Sequence, residues 1–307
     1  MCSVKLRIVS LDKPSADRPS GAFAGLATVD IAYPVEQVPA PNQKVSTPVP
    51  EIAAGGPATN AAVTFAFLGG RSTLVTAVGQ HALASVVRQD LEQCNVTLHD
   101  VAAQQQGLPP VSSIMVLPNG DRSVVSANAK AFPELRIETR AEWFDELRFV
   151  LIDGHYPALC NAVAREARAA AIDVVLDAGS WKDGTPALLP NTTIALCSND
   201  FRPPGCFTTD DVFRFLTSRG VERVAITRGA ESILYMEEGL RGEVAVNPVK
   251  AVDTTGAGDV FHGAFCYRFS LSRDFKDALS FAAKIATFSC MHVGTRSWML
   301  GYQESRC

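Results

Sequence analysis

Residues 149–177 read FVLIDGHYPALCNAVAREARAAAIDVVLD. The run predicts a strand over 149–152, a helix over 157–170 and a second strand over 172–176 that ends in Asp177. Neither strand alternates strictly between apolar and polar residues, which is the mark of a strand buried on both faces, as in a parallel sheet sandwiched by helices. A β–α–β unit of this kind implies a crossover helix packed on the sheet.

Working outward, the same rhythm recurs. Strands at 72–78 and 95–99 flank a helix at 81–93, and residues 21–29 read as a first core strand ending at Asp30. A short helix is expected between Phe132-Pro133 and Glu146. Toward the C-terminus come a strand at 193–197 and a helix at 208–219, with Thr208 or Thr209 as its cap before Asp210-Asp211. A strand at 223–227, a β-pair (232–236 and 243–247) around Glu238-Gly239, and helices at 256–269 and 275–290 complete the series. This order gives an α/β fold: a doubly wound, mostly parallel central sheet with helices on both faces and a ligand cleft beyond the strands' carboxyl ends.

Two segments depart from it. Residues 31–54 are punctuated by Pro34, Pro39, Pro41, Pro48 and Pro50, with β-prone pieces at 32–35 and 45–48 that suit edge strands. Residues 111–126 carry a hairpin around Pro118-Asn119-Gly120-Asp121. Together they are read as a small β-lid. Residues 1–20 read as an N-terminal extension, with a short strand at Val4, Leu6 and Ile8 followed by a Pro- and Ser-rich linker. The 307 residues have room for roughly two average domains, but lid strands cannot form a core alone, so residues 21–307 are read as one domain.

Composition narrows the function. With Lys+Arg 28 against Asp+Glu 32 the net charge is −4, so no broad basic field would hold a nucleic acid or an anionic bilayer. The apolar runs fall short of the roughly 18 residues that span hydrocarbon, and the N-terminus lacks a signal-peptide pattern, which makes a cytoplasmic location the expectation. Eight cysteines without a CxxC pair read as separate reduced thiols, and five histidines without an HExxH pair give no protein-ligated metal.

The densest chemical signal is VDTTGAGDVFHGAF at 252–265. Gly256 and Gly258 bracket Ala257 where an apolar helix begins, so the amides of 256–259 can converge on an anion at the helix's positive end. Asp259, in the first turn, is placed to take a proton from an alcohol during phosphoryl transfer. The blander alternative is a loop followed by a capped helix. Neither GxGxxG nor GxxxxGK[ST] fits, which removes support for a Rossmann site or a P-loop. A second glycine-led helix start, GGPATNAAVTFAFLGG, occupies 55–70, with Pro57 suited to the first helical position.

Gly55-Gly56-Pro57-Ala58-Thr59-Asn60-Ala61-Ala62 together with Asp253-Thr254-Thr255-Gly256-Ala257-Gly258-Asp259 resembles the two signatures of the ribokinase-like (PfkB) carbohydrate kinases, over about residues 21–300. The resemblance implies an ATP-dependent kinase with Asp259 as base and the amides of Gly256, Ala257 and Gly258 as the cradle for the transferred γ-phosphoryl group. It implies Mg²⁺ held mainly through ATP and water, with no protein metal ligands. It assigns the sugar to Asp30, Gly55, Gly56 and Asn60, and the nucleotide to Ser198, Thr227, Gly229, Ala283, Ala286 and Gly294. Read without it, Asp30 is an ordinary strand-end aspartate and Asn60 a side chain bonded to nearby backbone. The family's lid excludes water and in some relatives forms a dimer interface, so Val45, Val49, Ile114 and Val116 face the sugar or a second copy, or simply pack within the lid sheet.

The chain departs from that pattern where an NxxE motif is expected: Ser198 and Phe201 stand there instead, with Asp200 adjacent. Lys44 from the lid, His155 and Arg122 are candidate contacts for an anionic substituent. The resulting expectation is transfer to a hydroxyl of a small carbohydrate, with a nucleoside kinase or a catalytically weak sugar- or nucleotide-binding regulator as alternatives.

Overall fold

In a computed structural model, which describes residues 18–127, 132, 135 and 137–305, the stretch 149–177 forms strand β8 (Phe149–Ile152), helix α3 (Pro157–Ala169) and strand β9 (Asp173–Ala178). The two strands pair in parallel. Their side chains divide between two cores: Phe149, Leu151 and Val175 on one face of the sheet, Val150, Ile152, Val174 and Leu176 on the other. Burial on both sides is why the sequence there does not alternate.

Before them in the chain come β1 (Ser20–Ala24), β2 (Thr28–Pro34), β3 (Glu51–Gly55), α1 (Pro57–Phe67), β4 (Arg71–Thr76), α2 (Ala84–Gln93), β5 (Val96–Asp100), β6 (Val111–Val116) and β7 (Arg122–Ser126). After them come α4 (Thr185–Leu188), β10 (Ile194–Ser198), α5 (Thr209–Thr217), β11 (Arg223–Arg228), β12 (Glu231–Glu237), β13 (Leu240–Val244), α6 (Ala257–Ser272), α7 (Phe275–Ser289) and α8 (Ser297–Glu304). The main sheet runs β13-β12-β11-β10-β9-β8-β1-β4-β5, antiparallel only where β12 meets β11 and β13. One core holds α1, α2, α6, α7 and α8, the other α3, α4 and α5. The lid is a separate sheet, β3-β2-β6-β7.

Several expectations are corrected. Residues 21–29 are not one strand: β1 belongs to the main sheet and β2 to the lid. The chain leaves the core at Gly25, where a Cβ would lie 2.1 Å from the Asp153 carboxyl group, so Asp30 sits inside a lid strand rather than at a core strand's end. Residues 45–48 form no strand; with Pro48 and Pro50 nearby, ladder donors are missing, and pairing with β2 resumes only at Glu51. The helix expected before Glu146 is a single 3-10 turn, Ala141–Trp143. At the second hairpin Glu238 and Gly239 both have positive φ (50° and 79°), a two-residue turn that starts β13 at Leu240 rather than 243. Helices α4 and α8 carry no strong sequence signal and escape the reading. The strand expected at residues 4–8 lies outside the described residues. Thr208 is the cap of α5, in a reciprocal capping box with Asp211. The six described cysteines are free and all but Cys290 are buried, and no described helix is long and apolar enough to cross a membrane.

Helices α1 and α6 pack closely. A Cβ at Gly263 would lie 2.3 Å from the Ala61 carbonyl oxygen and 2.7 Å from Thr64 Cβ, so only glycine lets the two backbones approach. Below the crossing Phe23, Phe65 and Phe149 meet edge-on at 5.1–5.5 Å between centroids, geometry that favours aromatic attraction. Gly263→Ala is therefore expected to destabilise the fold by about 1–3 kcal/mol through overpacking, despite alanine's better helix propensity. Urea denaturation checks this; an unchanged or raised midpoint would contradict it.

Candidate active site

The α1–α6 contact brings two glycine-led helix starts together beyond the carboxyl ends of the parallel strands. At the first, Gly56 (φ 98°) precedes Pro57, and a Cβ on Gly56 would lie 2.4 Å from the Leu26 carbonyl oxygen. Asp153, 1% exposed at the end of β8, ties this start down. Its Oδ2 accepts from the amides of Leu26 (2.8 Å) and Ala58 (3.2 Å), and its Oδ1 from the amide of His155 (2.9 Å). A buried carboxylate with three N–H donors at a helix N-terminus is well satisfied.

At the second start, Asp253 shapes the loop. It is buried, with Oδ1 accepting from the Thr255 amide and Oδ2 from the Gly294 amide, both at 2.8 Å. Gly256 takes the left-handed conformation (φ 70°). The Ala257 amide donates back to the Thr254 carbonyl at 3.2 Å, so among the three amides assigned to the cradle it is already engaged. A Cβ at Gly258 would meet nothing within 4 Å, leaving this face of the helix start open.

Asp259 Oδ2 accepts from Asn60 Nδ2 at 2.8 Å, joining the two starts. Burial and, second, the charge of Asp177 push its carboxyl up to about 7 from 3.8, against the Asn60 hydrogen bond, which pulls it down. Asp177, at the end of β9, lies 3.4 Å from His262 Nδ1.

Two clefts flank the loop. One is lined by Thr227, Gly229, Ala257, Gly258, Ala283 and Ala286, among others. The other, toward the lid, is lined by Asp30, Glu51, Ile114, Asp253, Thr255 and Gly294, with Ala32, Ala53, Val116, Val293 and Thr295 completing it. Residues 253–258 form the wall between them. Asp30 faces Gly55, whose Cβ would lie 1.8 Å from Asp30 Oδ2; Thr28 Oγ1 donates to its Oδ1 at 2.5 Å. Burial raises the Asp30 carboxyl group against hydrogen bonds from Thr28 and Ser112.

The candidate residues thus divide. Asn60 meets residues 256–259 where α1 crosses α6, Asp30 lies against Gly55 and lines the lid-side cleft, which Gly55, Gly56, Asn60 and Asp259 do not, and Thr227, Gly229, Ala283 and Ala286 line the first cleft. Gly294 does not join Ala283 and Ala286: it lies in the lid-side cleft, where Glu51 Oε2 would be 2.5 Å from its Cβ. Ser198 closes β10, donating to the Gly179 carbonyl at 2.5 Å and accepting from the Asp200 amide at 3.0 Å, and is not among the lining residues. Phe201 is 1% exposed, packed against Trp181, so no acid occupies that position. Lys44 is exposed on the 35–50 connection, and His155 is half-buried behind Asp153; neither lines the lid-side cleft. Of the four lid positions, Ile114 and Val116 line that cleft, whereas Val49 is 91% exposed. Sequence reasoning missed Asp153, Asp177, Glu51 and Arg296. The first two end core strands in the sequence, which is the signal that could have found them.

The raised carboxyl has a consequence for stability. Folded Asp259 keeps its proton up to about pH 7, whereas the unfolded chain releases it near 4. Stabilisation from the bound proton is complete below about pH 4 and is lost as pH rises to about 7. Asp259→Asn, which cannot ionise, should therefore gain on the wild type by on the order of 2–4 kcal/mol between pH 4.5 and pH 8. Urea unfolding at both pH values checks this; a difference that does not change with pH would contradict it.

With this geometry established, comparison with known proteins is informative. The sequence model of the pfkB family of carbohydrate kinases matches residues 21–300. The chain is 27% identical to a ribokinase of Arabidopsis thaliana, over 94% of this chain and 83% of that one, and 26% identical to a deoxyribokinase of Salmonella typhi, over 90% and 94%. Its fold resembles that of ribokinase from Thermotoga maritima (TM-score 0.77, 20% identity, covering 94% and 99%). It also resembles Arabidopsis ribokinase complexed with ribose and ATP (TM-score 0.74, 22% identity, covering 90% and 94%). With its two glycine-led helix starts joined at Asn60 and Asp259 and a family match across nearly its whole length, the chain belongs to the pfkB family of carbohydrate kinases.

Proposed function

We propose that this protein transfers the γ-phosphoryl group of ATP to a hydroxyl of a small, uncharged sugar. The observation that carries the reading is the wall formed by residues 253–258, which separates the first cleft from the lid-side cleft and ends at Asp259. A nucleotide seated over Thr227, Gly229, Ala283 and Ala286 would direct its phosphates at the start of α6. A sugar held by Asp30, Asn60 and the Gly55-Gly56 backbone would present a hydroxyl from the other side.

The chemistry then follows from the residues. Asp259 takes the proton as the acceptor oxygen attacks the γ-phosphorus and ADP leaves. The amides of Gly256 and Gly258, with the positive end of α6, stabilise charge on the transferred group. The lid keeps competing water out. Among the described residues no group of three or more His, Cys, Asp or Glu could hold a metal ion, and Phe201 is a core residue. Mg²⁺ would be held by the nucleotide's phosphates and water, and no step is assigned to a protein-bound metal.

The lid-side cleft carries Asp30, Glu51 and Asp253 and neither Lys nor Arg in its lining. Carboxylates accept hydrogen bonds from a polyol and repel phosphate or sulfonate, so the anionic contacts considered for Lys44 and His155 have no support in the geometry.

Incubation with Mg-ATP and a panel of pentoses, hexoses, sugar phosphates, sulfonated sugars and nucleosides, with products identified by mass, tests the reading. The expected product is a phosphorylated neutral sugar, and Asp259→Asn should lower turnover by about 10³-fold or more without loss of fold, combining the loss of the base with that of its placement. Nucleotide binding with no product across the panel would favour a regulator instead. Asp30→Ala should raise KM for the sugar at least about tenfold, the cost of about one charge-assisted hydrogen bond, and leave KM for ATP unchanged. Unchanged sugar kinetics would reject that contact.

A further inference from the structure

Arg296 lies at the start of α8, outside both glycine-led signatures, yet its guanidinium group reaches the centre of the site. It is 5% exposed. Nη1 donates to Asn60 Oδ1 at 2.9 Å, and also to Thr295 Oγ1 at 3.1 Å and the Thr295 carbonyl at 3.3 Å. Nη2 donates to the carbonyl of Ala54, in lid strand β3, at 2.7 Å and to Asp90 Oδ2 on α2 at 3.2 Å. Asp90 Oδ2 in turn accepts from the Ala54 amide at 3.1 Å. Nε has no partner. Burying an arginine with one donor unsatisfied is a poor way to gain stability alone.

What the arrangement does provide is direction. A guanidinium group only donates, and an ionised carboxylate only accepts. Asn60 stands between the two, so only one orientation of its carboxamide satisfies both: oxygen toward Arg296, nitrogen toward Asp259. The reversed amide would set N–H against N–H at Arg296 and, once Asp259 is ionised, oxygen against oxygen on the other side.

We propose that Arg296 is a positioning residue for the base, acting through Asn60. Its hydrogen bond to Asn60 Oδ1 locks the carboxamide with Nδ2 on Asp259 Oδ2, and its bonds to Ala54 and Asp90 tie that lock to the lid and to α2. This rests on the reading of Asp259 as the base. It assigns Asn60 to the carboxylate as well as to the sugar.

The charge state of Asp259 reports the lock. Facing it are Asn60 from α1, His262 from its own helix, and Asp177 and Asp153 at the ends of β9 and β8; Arg296 stands behind Asn60. Burial first, then Asp177 and Asp153, raise the carboxyl group, and the Asn60 hydrogen bond and His262 lower it.

The test follows the ¹³C carboxyl resonances of aspartate-labelled protein through a pH titration, with Asp259 assigned by Asp259→Asn. Arg296→Lys keeps the charge and loses the fork, and should move the Asp259 midpoint upward by about half a unit or more, as a weakened hydrogen bond to the charged form requires. Asn60→Ala should do the same, and adding Arg296→Lys to it should produce no further shift. Asp90→Asn gives a second route. Removing a negative charge would by itself lower the midpoint, so an upward shift there reports a loosened guanidinium group. An unmoved midpoint in Arg296→Lys, an equal further shift on the Asn60→Ala background, or an unchanged or lowered midpoint in Asp90→Asn would overturn the proposal. If Arg296→Lys does not fold, Asp90→Asn decides. The titration needs no substrate, so it stands apart from the acceptor panel: products formed with an unmoved midpoint would reject the role of Arg296 and leave the kinase reading intact.

Discussion

The close crossing of α1 over α6, allowed by the missing side chain at Gly263, is the constraint on which the site depends. Each helix begins at a glycine with positive φ, and each start is fixed from elsewhere: Asp153 holds the first, and Asp253 holds the second through Thr255 and Gly294. Because the helices meet near these starts, one hydrogen bond, Asn60 to Asp259, spans residues 199 positions apart in the chain. The central sheet supplies the platform, and the lid reaches the same point through Ala54.

The site concentrates like charges in a small volume. Asp153, Asp177, Asp253 and Asp259 lie at strand or loop ends, and three of the four are nearly inaccessible. Asp153 and Asp253 are satisfied by backbone amides, whereas Asp259 has neighbours that resist its ionisation. A carboxyl group poised near neutral pH suits a group that must take up a proton. The net charge of −4 has little bearing on this: what a phosphoryl group would meet is a helix start, not the average surface.

Much of this was legible in the sequence. The apolar runs at 149–152 and 174–176, without strict alternation, showed a sheet covered on both faces, and the glycine-led stretches at 55–60 and 253–259 showed where the helix starts lay. Departures occurred where a distant residue decided the outcome. The chain leaves the core sheet at Gly25, where Asp153 fills the space a side chain would need and its carboxylate takes the next amide, that of Leu26. Gly294 lies in the lid-side cleft because its amide holds Asp253. Arg296 acquires its position from α1, α2 and β3 together, and no local pattern marks a side chain whose partners are scattered along the chain.

The most direct measurement of the central claim is a crystal structure with a non-hydrolysable ATP analogue and an acceptor sugar bound together. The account predicts the adenine ring over Ala283 and Ala286, the terminal phosphate at the amides of Gly256 and Gly258, and a sugar hydroxyl within hydrogen-bond distance of Asp259 from the lid side. Phosphates seated away from residues 256–258, or a sugar whose hydroxyls all lie beyond reach of Asp259, would contradict it.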